Sequence, residues 1–376
     1  MKGKGMFYDE FYDCLLNGDG NGLSQAIASG QPTNIIMEHP SVSPQVDYEC
    51  ACGKTTPVLV AAFCGYVECL RVLTQNGASV NLLPCQNHNS ALHIACRSPS
   101  NSVMCVELLL SNGAIVNLPD SEGYVPLHIA VQYSKPDVVK LLLQSGADVN
   151  RTAHENESPL LLATSYPLDF PMVQLLLKNG ADACLPDKFR NTALQLATKQ
   201  VHVQAVKLLL RHSANPNTLD IYHQSPLFSV AKVMRPMDNS TSNPPLCLQA
   251  LLNHGANIKQ ICLRQNIFQV VMAICPDNVN NFTVLISAYD YIDAVLRPLL
   301  PIIHIIPAEV QLRNSSFYAN LTYLARNPRT LQHLCRCIVR KCLQKNCGKL
   351  ANSLPLPDRL KEYILLKPSL CGQFYL

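Results

Sequence analysis

From residue 56 to residue 256 the chain alternates short apolar bursts at helical spacing with polar, turn-rich stretches. Each cycle opens on one block: Thr56-Pro57-Val58-Leu59, Ser90-Ala91-Leu92-His93, Val125-Pro126-Leu127-His128, Ser158-Pro159-Leu160-Leu161, Thr192-Ala193-Leu194-Gln195 and Ser225-Pro226-Leu227-Phe228. Each closes on a small-residue step, Gly77-Ala78, Gly113-Ala114, Gly146-Ala147, Gly180-Ala181, Ser213-Ala214 and Gly255-Ala256, at successive spacings of 36, 33, 34, 33 and 42 residues. A period near 34 that carries apolar runs predicts stacked supersecondary units, each burying the open face of its neighbour.

The blocks say what a unit is. Thr or Ser stands at the cap position in five of six copies, and Pro follows at the first helical position in four, where no N–H is missed. Val125 is the copy without a side-chain cap. A second helix carries the triplets Leu108–Leu110, Leu141–Leu143, Leu175–Leu177 and Leu208–Leu210, read as a buried stripe against the next unit. Gly then ends that helix in the left-handed conformation. The expectation is an all-α array of antiparallel helix pairs joined by loops.

Gly-Tyr-Val-Pro-Leu-His-Ile-Ala (123–130), followed by 139–150, resembles the ankyrin repeat, and the resemblance covers residues 50–259 as six repeats. It implies a solenoid of helix pairs with protruding β-hairpin loops. It also implies a structural role for His93 and His128, whose rings would tie neighbouring units together. Before the repeats, residues 1–49 read as cap helices, including a helix pair over 11–30, and a Pro-rich connecting loop. Residues 260–327, apolar at Val270–Ile274 and Leu296–Ile306 but without the repeat signature, are expected to be degenerate terminal repeats that cap the stack.

The pattern changes at Asn327-Pro328, a helix opening. Leu331, Leu334, Cys335, Ile338, Val339, Cys342 and Leu343 fall at i, i+3, i+4, i+7, i+8, i+11 and i+12, one apolar face of a helix. Periodicity alone fits a helix packed on its own protein equally well. The strings Thr330-Leu331-x-x-x-Cys335-x-x-x-Val339 and Leu354-Pro355-Leu356-Pro357, followed by Leu360, Tyr363 and Ile364, resemble the two halves of a SOCS box over residues 328–366. The resemblance implies a small three-helix module. In it Leu331, Leu334, Cys335, Ile338 and Val339 would bind elongin C, which pairs with elongin B, and Leu354, Pro355, Leu356 and Pro357 would meet cullin-5 with its RING-box protein. The function it implies is a substrate adaptor of a cullin-RING ubiquitin ligase, with repeats that bind a target for ubiquitination and proteasomal degradation. The alternative is an ankyrin scaffold without a degradative role, whose C-terminal helices cap the stack. Residues 367–376 form a tail.

Composition narrows this picture rather than redrawing it. The net charge is +4 over 376 residues, and residues 328–350 hold Arg329, Arg336, Arg340, Lys341, Lys345 and Lys349 with no acid. The rest is slightly acidic, which argues against a nucleic-acid partner. No apolar run is long enough to span a membrane. The 17 cysteines are odd in number and sit in apolar helical patterns, which points to reduced thiols in cytoplasm or nucleus. Cys335, Cys337, Cys342 and Cys347 lack the paired spacing of a zinc site. No phosphate loop, nucleophile elbow or metalloprotease helix occurs, so neither enzyme activity nor a cofactor is expected. The target-binding surface falls on the loop tips, with Tyr124, Phe189 and Tyr222 as candidate contacts, and on the polar insertion 234–245 in the sixth unit.

Overall fold

A hydroxyl opens five of the six first helices, as the blocks predict. Oγ1 of Thr56 accepts from the Leu59 N–H at 3.3 Å, and Ser158, Thr192 and Ser225 accept in the same way from Leu161, Gln195 and Phe228. In the computed structural model the described residues are 4–38, 54–84, 88–100, 102–165, 167–233, 244–257, 351–353, 358, 361, 364 and 365. Most of the 31–52 loop, most of the 234–245 insertion, the terminal repeats at 260–327, Leu331, Leu334, Cys335, Ile338, Val339, Leu354–Pro357 and the tail lie outside them.

The helices are α1 (Lys4–Asn17), α2 (Gly20–Ala28), α3 (Pro57–Cys64), α4 (Val67–Gln75), α5 (Ala91–Arg97), α6 (Ser102–Ser111), α7 (Pro126–Gln132) and α8 (Pro136–Gln144). After them come α9 (Pro159–Thr164), α10 (Phe170–Lys178), α11 (Ala193–Lys199), α12 (Val203–Arg211), α13 (Pro226–Val233) and α14 (Pro244–Asn253). One short antiparallel ladder pairs β1 (Met37–Glu38) with β2 (Lys54–Thr55). The chain divides into two units, Met1–Ala163 with Pro171–Asp182, and Thr164–Phe170 with Ala183–Leu376. In the first, α1 to α8 form four antiparallel pairs, and each pair stacks on the next, first helix on first and second on second. In the other, α11 and α12 stack on α13 and α14 in the same manner.

First and second helices bury different amounts for a geometric reason. A first helix has its partner on one side and a neighbouring unit above and below, so all of Pro57–Ala62 in α3 is buried. A second helix also stacks on its neighbours but turns its outer face to water: α8 buries Val138, Val139 and Leu142 while Asp137 and Lys140 stay exposed. The Leu triplets are therefore not uniformly core. The middle members Leu109, Leu142, Leu176 and Leu209 are fully buried, whereas Leu108, Leu110, Leu141 and Leu143 are half-buried.

A ladder of asparagines, four residues beyond each closing small-residue step, runs through both units. The Asn81 amide donates to the Gly113 carbonyl at 2.9 Å and accepts the Ile115 N–H at 3.0 Å. Asn117 repeats this on Gly146 and Asp148, Asn150 on Gly180 and Asp182, and Asn217 on Gly255 and Asn257. Asn34 makes the first rung, on Gly77 and Ser79. At the remaining rung Cys184 takes the place of Asn, its thiol 3.6 Å from the Ser213 carbonyl. Ser213 there takes the place of Gly and is held at φ 65°.

Thiols bond weakly, and a left-handed Ser costs about 1 kcal/mol relative to a residue that adopts that region freely. Cys184→Asn together with Ser213→Gly should therefore stabilise the chain by about 1 kcal/mol. The measurement is the urea midpoint, and an unchanged or lower midpoint contradicts the ladder as a source of stability.

Candidate partner-binding surface

Three loop tips are fixed from beneath by the third residue of a first helix, His93, His128 or Gln195. Nδ1 of His93 accepts the Ser90 N–H at 3.2 Å, which places the ring proton on Nε2, where it is donated to the Tyr124 carbonyl at 3.0 Å. His128 does the same between the Val125 N–H, at 3.1 Å, and the Glu157 carbonyl, at 3.1 Å. Val125, which has no hydroxyl, thus has its backbone donor satisfied by the imidazole. Gln195 occupies this position in α11: Oε1 accepts the Thr192 N–H at 2.9 Å and Nε2 donates to the Gln224 carbonyl at 3.1 Å. Burial holds both imidazoles at a pKa of about 4, despite carbonyl bonds that act the other way.

Above these ties the tips are tight turns closed on an Asp. Asp120 donates its N–H to the Tyr124 carbonyl at 2.8 Å, and its carboxylate accepts from the N–H groups of Glu122 and Tyr124. Asp187 and Asp220 close their turns in the same way, onto Asn191 and Gln224. Side chains just past the Asp are then carried outward. Gly123 adopts φ 82° in the first of these turns, while Arg190 and His223 adopt 60° and 56° in the other two.

The three aromatic candidates meet different surroundings. Tyr124 is half-buried, its hydroxyl donates to Oε2 of Glu157 at 2.6 Å, and its ring packs edge-on to His128. Burial first, and then the Glu157 bond and charge, raise its pKa. Phe189 is 45% exposed and Tyr222 74% exposed. Ile221, 42% exposed, was not anticipated from the sequence; its N–H donates to the Phe189 carbonyl at 3.1 Å, which joins the two tips. The signal for it was the register of Asp220 with Asp187, which puts Ile221 and Lys188 at the same place in the turn.

At the C-terminal end, Gln249 and Asn253 of α14 donate their side-chain amides to the Leu365 carbonyl at 2.8 and 2.9 Å. Ala351 and Ile364 are buried, and Asp358, on a helical turn, is exposed 3.9 Å from Lys361. Of the C-terminal candidate residues, none is among those described.

The described cysteines 14, 64, 69, 96, 105, 184 and 247 are in no disulfide. Burial pushes Cys69 and Cys105 up to about 11 and Cys247 to about 12, which suppresses the thiolate and with it nucleophilic or metal-binding use. Among the described residues no cluster of His, Cys, Asp and Glu could hold a metal ion, and no helix is long and apolar enough to cross a membrane.

Comparison with known proteins bears on both modules. The family model for ankyrin repeats (3 copies) matches residues 23–120, 58–153 and 160–262, more than half of the chain, and that for the SOCS box matches residues 327–365. Mouse ankyrin repeat and SOCS box protein 16 is 28% identical over 408 aligned positions, which cover 94% of this chain and 85% of that protein. Human ankyrin repeat and SOCS box protein 18 is 36% identical over 131 positions, 34% of this chain and 26% of that protein. In fold, the ankyrin repeat domain of Bcl-3 aligns with a TM-score of 0.50 at 24% identity, covering 58% of this chain and 92% of that domain.

Proposed function

The chain belongs to the ankyrin-repeat and SOCS-box protein family, and on that premise we propose that it is the target-recognition subunit of a cullin-RING ubiquitin ligase. The observation that carries this reading is the presence of both modules in one chain, ankyrin repeats over 23–262 and then a SOCS box over 327–365. The repeats hold a target protein through their loop tips. The box recruits elongin C with elongin B through Leu331, Leu334, Cys335, Ile338 and Val339, and cullin-5 through Leu354, Pro355, Leu356 and Pro357.

The chain supplies no bond-breaking chemistry in this scheme. Ubiquitin transfer is accelerated by proximity, because one assembly holds the target and the loaded conjugating enzyme and raises their effective concentration. Ubiquitination followed by proteasomal degradation is the proposed fate of the target. A second reading, in which the C-terminal helices cap the stack and recruit nothing, draws support from the Leu365 carbonyl held by α14. The two readings part on recruitment: the first requires elongin and cullin-5 to bind, and the second requires that they do not.

The test separates the halves of the box. Co-expressed with elongin B, elongin C and cullin-5, the wild-type chain should retain all three. Replacement of Leu354, Pro355, Leu356 and Pro357 by Ala should leave the elongins bound and reduce cullin-5 by about ten-fold or more. A wild-type chain that retains no cullin-5, or a variant that retains it fully, contradicts the proposed assembly.

A further inference from the structure

The tips formed by Asp187–Asn191 and Asp220–Gln224 differ chemically from the others. Phe189, Ile221 and Tyr222 present apolar surface to water side by side, joined by the Ile221 N–H to Phe189 carbonyl bond. Lys188, Arg190 and His223 surround them and are exposed. The Lys188 ammonium lies 4.8 Å from the Phe189 ring centroid, so the ring face and the cation form one surface.

The two acids within these tips, Asp187 and Asp220, are engaged by groups of the fold. Asp220 is 2% exposed; one carboxylate oxygen accepts from the Tyr222 and Gln224 N–H groups and the other lies 3.7 Å from Nζ of Lys199. Asp187 spends Oδ1 on the Asn191 N–H, at 2.7 Å, and Oδ2 on the Asn191 amide, at 2.9 Å. The exposed charged side chains beside the apolar centre, Lys188 and Arg190, are therefore cationic. Two tips of the first unit are mixed in charge: Glu122 and Glu155 are exposed there beside Arg151 and His154, and their aromatic, Tyr124, is bonded inward to Glu157.

We infer that the Phe189, Ile221 and Tyr222 surface binds an acidic segment of the target protein, with an aromatic or aliphatic side chain seated on the three residues and Asp or Glu beside it meeting Lys188 and Arg190. This rests on the adaptor reading for its biological use, and it names the chemistry of the target for that surface. Apolar burial supplies most of the affinity, because exposed ion pairs contribute little. The cations supply sign selectivity and a faster encounter.

The test uses the full chain purified with elongin B and C as bait for a random peptide library displayed on phage. Enriched sequences should hold an excess of Asp and Glu around an aromatic or aliphatic residue. Tyr222→Ala should weaken the best synthetic peptide by about ten-fold or more. Lys188→Glu combined with Arg190→Glu should reverse the charge preference of the selected peptides, and added salt should weaken wild-type binding. Neutral or basic selections, no selection at all, affinities indifferent to both variants, or displacement of the peptide by oligouridylate RNA would each overturn the inference. Elongin retention is read on the same preparations. Its loss with peptide selectivity intact would count against the adaptor reading alone, and selectivity absent with elongin retained would count against this surface alone.

Discussion

Lowering the pH from 7 to 5 should cost the folded chain about 4 kcal/mol through His93 and His128. Both rings are held at a pKa of about 4 in the fold, burial being the main cause. An unfolded chain returns them to about 6.5. Below that value the unfolded state takes up protons that the native state refuses, so stability falls as pH drops from about 6.5 to about 4 and then levels off. At pH 5 each ring contributes about 2 kcal/mol to that loss.

Each ring also has a bonding role that protonation would break. Nδ1 accepts a backbone N–H at the helix start, and an added proton there would set donor against donor. Gln195 shows the non-titrating solution within the same chain, accepting with Oε1 and donating with Nε2. In the double variant His93→Gln with His128→Gln, the loss between pH 7 and pH 5 should therefore shrink by most of the 4 kcal/mol, about 2 for each ring. Equilibrium urea unfolding of both proteins at the two pH values measures this. A variant as acid-sensitive as the wild type would show that the buried imidazoles do not set the acid response.

Most of the repeat array was legible because its signals are local. A hydroxyl, a Pro and a Leu in sequence specify a helix start, and a small residue in the left-handed region specifies the end of the second helix. The asparagine ladder was equally available, since Asn81, Asn117, Asn150 and Asn217 each lie four residues beyond a closing small-residue step, and Cys184 marks the exception. It is easily overlooked because its bonds reach a residue some 30 positions away.

The same distance explains the aromatics. Phe189 and Tyr222 stand two residues past the Asp of their turns, whereas Tyr124 stands four past Asp120, the place of Asn191 and Gln224, where the next unit is within reach. Glu157 takes the hydroxyl of Tyr124, whereas Phe189 meets the backbone of Ile221 and keeps its ring in solvent. The Leu triplets mark the second helices but not which Leu is core, because a helix turns about 100° per residue: the middle member points inward in all four, and Leu177 and Leu210 are buried beside it in two. The loop tips are closed by Asp120, Asp187 and Asp220, which bond backbone donors of their own turns. The box is a different case: helical periodicity fits a cap or a docking helix alike, and the order of its two motifs is what separates them.

Replacing Leu331 by Asp should abolish elongin binding. A leucine seated in an apolar site contributes about 2 kcal/mol through burial, and a carboxylate in the same place adds a further desolvation cost of several kcal/mol. The expected loss exceeds about a thousand-fold in affinity. Cys335→Phe should act in the same direction by excess volume, since a small polarizable side chain is replaced by one too large for the seat. Leu331 lies beyond the six repeats, so the urea and pH behaviour of the repeat array should be unchanged in either variant, which distinguishes a lost interface from a lost fold.

Calorimetric titration of the elongin B–elongin C complex into the full chain tests the adaptor role most directly. One saturable transition of equimolar stoichiometry for the wild type, with no measurable heat for Leu331→Asp, is the expected result. No binding by the wild-type chain, or equal binding by Leu331→Asp, would contradict it and leave the C-terminal helices as a cap on the ankyrin stack.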